Sequence, residues 1–144
     1  MTLLAHFFYT FCMSDDIDLK ELYDRGGELY NEGKYKEAEG LLREVVKLRP
    51  DYADVHNKLG VIASIQGRNQ EAVDYFKRSL ELNPAYTEAS LNLAITLNDM
   101  GQFDGAKDVF DKASTIIAGA PGHLDPFAAG KLANEHFKIG NIYL

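Results

Sequence analysis

A glycine recurs at a step of 34 residues, at Gly33, Gly67 and Gly101, and this period constrains the fold more than any other feature of the chain. Ala38, Ala72 and Ala106 keep the same step, as do Pro50 and Pro84, with Ala118 in the third slot. Leu42, Phe76 and Phe110 make a column of large apolar residues. Glycine is 12 of the 144 residues, so two further matches at a fixed step are about a 1-in-144 coincidence, and the other columns reduce that further. Such a period marks stacked supersecondary units, none of which can bury its apolar face alone.

Each unit reads as two helices joined by a tight turn. Residues 53–66 carry Val55, Leu59, Ile62 and Ala63 at helical spacing, and Gly67 ends that helix. Residues 69–82 carry Ala72, Val73, Phe76, Leu80 and Leu82, and stop at Asn83-Pro84. Glycine after the first helix supplies a left-handed turn, and proline after the second cannot continue a helix. The alanine column lets the paired helices approach closely. The large residue four positions later lies one turn on along the same face and fills the space beside that contact.

The middle unit therefore runs His56-x2-Leu59-Gly60-x2-Ala63, then Ala72-x3-Phe76, then Pro84. This pattern resembles the tetratricopeptide repeat, with His56 and Ala63 standing where Trp and Tyr are usual. The first unit reads Leu22-x2-Arg25-Gly26-x2-Leu29, Ala38-x3-Leu42, Pro50, with Arg25 in place of the usual leucine. The third reads Ser90-x2-Leu93-Ala94-x2-Leu97, Ala106-x3-Phe110. A fourth begins at His136-x2-Ile139-Gly140-x2-Tyr143, after an offset of 12 residues. The resemblance implies an all-α fold: a right-handed α-solenoid of antiparallel helix pairs, with three tetratricopeptide units plus a C-terminal helix. The divisions expected are an apolar leader and acidic linker over 1–18, units over 19–52, 53–86 and 87–120, a linker and helix start over 121–132, and a partial fourth unit or capping helix over 133–144.

The resemblance also implies the function class, a protein-binding scaffold whose partner is a peptide or protein, with the first helix of each pair lining a concave groove. Mapped by the repeat step, Tyr23, Tyr30, Asn57, Lys58, Val61, Ile65, Leu91, Asn92, Ile95 and Asn98 are the candidate binding residues. The asparagines can both donate to and accept from a ligand's backbone amides. The tyrosines offer apolar area with a polar tip. Val61, Ile65, Leu91 and Ile95 form an apolar floor; the alternatives are that the candidates are ordinary solvated helix positions and that Val61, Ile65 or Ile95 is simply core. Relatives that clamp acidic chaperone tails use Lys, Asn and Arg. The matching positions here hold Tyr23, Gly27, Lys58, Glu88 and Asn92, so a single cation faces a carboxylate of the wrong sign.

Charge and motif content narrow the function classes further. Fifteen Lys+Arg against 22 Asp+Glu give a net charge of −7, which argues against nucleic acid or an anionic membrane as the main partner. The sequence holds no HExxH, CxxC, G-x-S-x-G, Walker or dinucleotide-glycine pattern, so no enzymatic activity, cofactor or metal is expected. His56 and His136 occupy equivalent repeat positions as structural wedges, His123 with Asp125 are too few for a metal site, and Cys12 has no basic neighbour to activate it. The runs Lys34–Glu39 and Lys77-Arg78 read as solvated helix faces.

The two ends support a competing reading. Residues 1–13 hold Phe7, Phe8 and Phe11 and no charged side chain. They lack the basic start of a secretory signal and are too short for a membrane span. They are either an upstream extension or an element packed on the array. A cytoplasmic location is the default. At the other end a helix is expected from about Phe127 to Tyr143, which leaves Phe137 and Tyr143 without a second helix to cover them. That points either to a fragment of a longer protein or to homo-oligomer contacts, and hence to a self-assembling scaffold that uses Phe7, Phe8, Phe11, Phe137 and Tyr143.

Overall fold

The computed structural model describes residues 18–118. Among the described residues there are six helices and no strand. Helix α1 occupies residues 18–31, followed by α2 (Tyr35–Leu48), α3 (Ala53–Ile65), α4 (Asn69–Leu82), α5 (Thr87–Asp99) and α6 (Phe103–Ala118). The pairs α1/α2, α3/α4 and α5/α6 turn at Gly33, Gly67 and Gly101, whose φ angles are 78°, 79° and 77°. Left-handed backbone is what glycine tolerates without a Cβ penalty. In each turn the glycine N–H and the one after it close the helix end. At the middle turn Gly67 N–H donates to the Ser64 carbonyl at 3.0 Å and Arg68 N–H to the Ala63 carbonyl at 2.8 Å. The same pair of bonds recurs at Gly33/Lys34 and at Gly101/Gln102, which satisfies carbonyls the helix would otherwise leave orphaned.

Two apolar clusters hold the stack. Leu29, Ala38, Leu42, Val45, Val55, Leu59 and Ile62 join the first helix pair to the second. Ala63, Ala72, Val73, Phe76, Leu93 and Leu97 join the second to the third. Because each cluster straddles two pairs, no pair has a complete core of its own, as in other stacked repeats. Within a pair, the large residue of the second helix sits on a glycine of the first. A Cβ built on Gly26 would lie 2.8 Å from Leu42 Cδ2, and one on Gly60 would lie 2.5 Å from Phe76 Cε1.

The third pair departs from this scheme. The residue matching Gly26 and Gly60 is Ala94, and by the Gly60 geometry, where an added Cβ falls 2.5 Å from Phe76 Cε1, a methyl there closes the seat for a ring at position 110. Phe110 is 52% exposed, whereas Leu42 and Phe76 are buried. Phe110 therefore does not fill the space beside the Ala106 contact as its column predicts. The closed seat is one reason. The other is that among the described residues no helix follows α6 to cover that face. Phe103 is 65% exposed, and α6 contains no buried residue.

The second helices are tied together by charge. Arg43 of α2 reaches Glu39 at 2.7 Å and Glu71 of α4 at 2.9 Å, while Arg68 reaches both Glu39 and Glu71 at 2.7 Å. Burial works against ionising Glu39, but Arg68 and Arg43 outweigh it and hold its carboxyl below the usual range. Glu39, read from the sequence as part of a solvated charge run, is instead a bracket between repeats. The equivalent positions one step on are Val73, Lys77, Gln102 and Gly105, so the second junction has no such ionic clasp between its second helices.

Candidate interaction face

The first helices form one layer. Tyr23 of α1 donates its hydroxyl to Asp54 of α3 at 2.7 Å, and Lys58, one turn on, pairs with the same carboxylate oxygen at 3.2 Å. The bond to Asp54, helped by burial, pushes the Tyr23 hydroxyl up to about 12. Between α3 and α5 the link is Asn57, which is 1% exposed. Its Nδ2 donates to Glu88 Oε1 at 3.0 Å and points toward the Tyr86 hydroxyl at 3.5 Å, while its Oδ1 accepts from Asn92 Nδ2 at 3.0 Å. A buried amide with both ends satisfied fixes the spacing of the helices that carry its partners. Asn57, at 1% exposure and bonded at both ends, is out of a ligand's reach, and Asn92 has spent one of its donors on it.

The remaining candidates divide by exposure. Tyr30 is half-buried, packs edge-on to Tyr35 with ring centroids 5.7 Å apart, and belongs to the first apolar cluster. Burial, then the nearby Glu88 carboxylate and Tyr35, push its hydroxyl up to about 12. Tyr86 is raised as well, by burial first and by Glu88 second, against the opposing Asn57 contact. Both phenols stay protonated at neutral pH and remain donors. Val61, Leu91 and Asn92 are half-buried, and Asn98 is exposed. Ile65 and Ile95 are 56% and 37% exposed, so neither belongs to the core that was the alternative reading for them. The ten candidates lie on the three first helices; Asn57 and Asn92 bond each other directly, and Tyr23 and Lys58 meet on the Asp54 carboxylate. Asp54 and Glu88, which the repeat step also maps to this face, organise it. Their signal in the sequence was their position one repeat step apart on the same helix face. Phe7, Phe8, Phe11, Phe137 and Tyr143, together with Cys12, His123, Asp125 and His136, lie outside the described residues.

His56 serves the scaffold. Its Nε2–H donates to the Pro50 carbonyl at 2.9 Å, pinning the loop before α3, and its ring tilts against Tyr75 with centroids 6.2 Å apart. Among the described residues no group of three or more His, Cys, Asp or Glu could hold a metal ion. Among the same residues no helix is long and apolar enough to cross a membrane.

Comparison with known proteins agrees with this geometry. Two family models described as tetratricopeptide repeat match residues 23–87 and 63–121. Among solved structures, MamA of AMB-1 is 31% identical, with a TM-score of 0.66 over 72% of this chain and 57% of its own. A MamA variant, also 31% identical, has a TM-score of 0.64 over 67% of this chain and 71% of its own. The Yersinia enterocolitica type III secretion translocator chaperone SycD shares the fold at 20% identity, with a TM-score of 0.65 over 72% of this chain and 78% of its own. The chain spans little more than half of the MamA of AMB-1 structure, at 57%. No curated protein matches it at a significant level. Three helix pairs stacked at a 34-residue step, each turned by a left-handed glycine, and the matching family models lead to one conclusion: the chain belongs to the tetratricopeptide repeat family, a family of protein–protein interaction modules.

Proposed function

We propose that this chain binds a peptide or protein segment along the concave groove lined by α1, α3 and α5. The observation that carries the reading is the exposure of Ile65 and Ile95 on the layer of first helices, while Leu59, Ile62 and Leu93 of the same helices are buried. Apolar side chains held outside a core, beside polar groups such as Asn98 and Glu88, are what an interaction surface presents. Ile65→Ser/Ile95→Ser is the direct test, because both residues are exposed enough for the fold to survive. In affinity capture from source-cell lysate, a partner held by the wild type is expected to bind the double variant at least about tenfold more weakly, a loss of roughly 1.4 kcal/mol. Equal capture by both proteins would overturn the groove reading. Tyr30→Ala is a poorer probe, since Tyr30 also packs into the first cluster.

A second reading, a scaffold that self-associates through its ends, draws on Phe103 and Phe110, which α6 leaves exposed. It predicts concentration-dependent association of the full chain in analytical ultracentrifugation. A monomer at every concentration excludes it.

A further inference from the structure

We infer that the groove selects a basic, amphipathic segment, one that lays apolar side chains on Val61, Ile65, Leu91 and Ile95 and sends a lysine or arginine to Glu88. The inference rests on the groove reading above and adds the chemistry of the partner. Only four residues of α3 and α5 carry full charge: Asp54, Lys58, Glu88 and Asp99. Their one cation, Lys58, is already paired with Asp54 at 3.2 Å, and Asp54 also accepts from the Tyr23 hydroxyl; the two cations of α1, Lys20 and Arg25, are likewise paired, with Asp24 and Glu28 of the same helix. An acidic ligand would have to break one of these pairs to find a counter-charge. Glu88 and Asp99 have no cation within ion-pair reach among the described residues. Glu88 is exposed, yet it is held in place by Asn57 Nδ2 at 3.0 Å. A fixed carboxylate costs an incoming cation less ordering than a free one.

Two further features act in the same direction. The Glu88 charge is felt by the Tyr30 and Tyr86 hydroxyls, so the carboxylate shares its surroundings with two aromatic side chains, and ring faces attract ammonium and guanidinium groups. Neither α3 nor α5 has a basic residue in its last turn, so the negative ends of both helix dipoles stand uncompensated at the end of the groove where Ile65 and Asp99 lie. A net charge of −7 for the whole chain steers cationic partners toward it.

The test is an immobilised array of random short peptides probed with the full chain, as wild type, as Glu88→Gln and as Ile65→Ser/Ile95→Ser. Glu88→Gln keeps an oxygen for Asn57 to donate to, so the α3–α5 link survives while the charge is lost. The wild type is expected to retain peptides enriched in Lys or Arg together with apolar residues. Glu88→Gln is expected to lose that enrichment and to bind a labelled lysine-containing hit about tenfold more weakly. Peptides retained with no preference for Lys or Arg over Asp or Glu, or a preference that Glu88→Gln leaves intact, would overturn the inference while the groove reading stands. Binding that Ile65→Ser/Ile95→Ser does not alter, or an array with nothing bound, would overturn both.

Discussion

Phe76→Ala is expected to cost about 3–5 kcal/mol of stability, the range for truncating a buried phenylalanine. The ring is 1% exposed. It rests on Gly60 of its own pair and shares a cluster with Leu93 and Leu97 of the next. Removing it therefore leaves a cavity at a junction as well as within a unit. The first junction has the Glu39–Arg43–Arg68–Glu71 clasp in addition to its apolar cluster, and the second has no equivalent. In a quasi-one-dimensional array, stability is roughly a sum of unit and junction contributions. The loss should therefore fall mainly on α5 and α6. Urea denaturation measures the total, and native-state hydrogen exchange reads its distribution. Amides of α5 and α6 should lose protection before those of α2 and α3. A cost below about 1 kcal/mol would mean that Phe76 is not the packing residue described here.

Gly60→Ala is expected to destabilise by about 1–3 kcal/mol, although alanine is the better helix former by roughly 1 kcal/mol. The added methyl would meet three atoms of the Phe76 ring at 2.5, 2.7 and 2.9 Å. That ring is enclosed and cannot swing clear without shifting its neighbours. Combining Gly60→Ala with Phe76→Leu should cost less than the two changes added separately, because the smaller side chain relieves the clash. Additive costs in denaturant titration would show that the two positions do not touch. The third unit is a natural version of the first change. Ala94 stands where Gly60 would, and its Phe110 lies exposed.

That comparison marks how far the sequence could be read. The glycine column was legible because a left-handed turn leaves a residue type behind, and the three φ angles match it. The alanine column was legible in the same way, with Ala38 and Ala72 fully buried. The burial of Phe110 does not follow from its column alone. Ala94, on the first helix of the pair where the other units have glycine, carries the contrary signal. The commitments of Asn57 could not be read at all. Its partners lie 31 and 35 residues away on the next first helix, an offset set by how successive pairs stack and not by the repeat step. For the same reason Glu39 looked like one charge in a solvated run, although it bridges to Arg68 across 29 positions. Periodicity specifies what each helix turns inward, while the contacts that decide the chemistry of the groove arise between helices of different repeats.

The central claim is that partners are held in the groove of the first helices. The most direct measurement places a photo-crosslinking amino acid at position 95 in one protein and at position 77 in another, each in the full chain. Ile95 is exposed on α5, in the layer of first helices, and Lys77 is exposed on α4, a second helix. A crosslinked partner is expected from position 95 and none from position 77. A partner captured from position 77 and absent from position 95 would contradict binding in that groove.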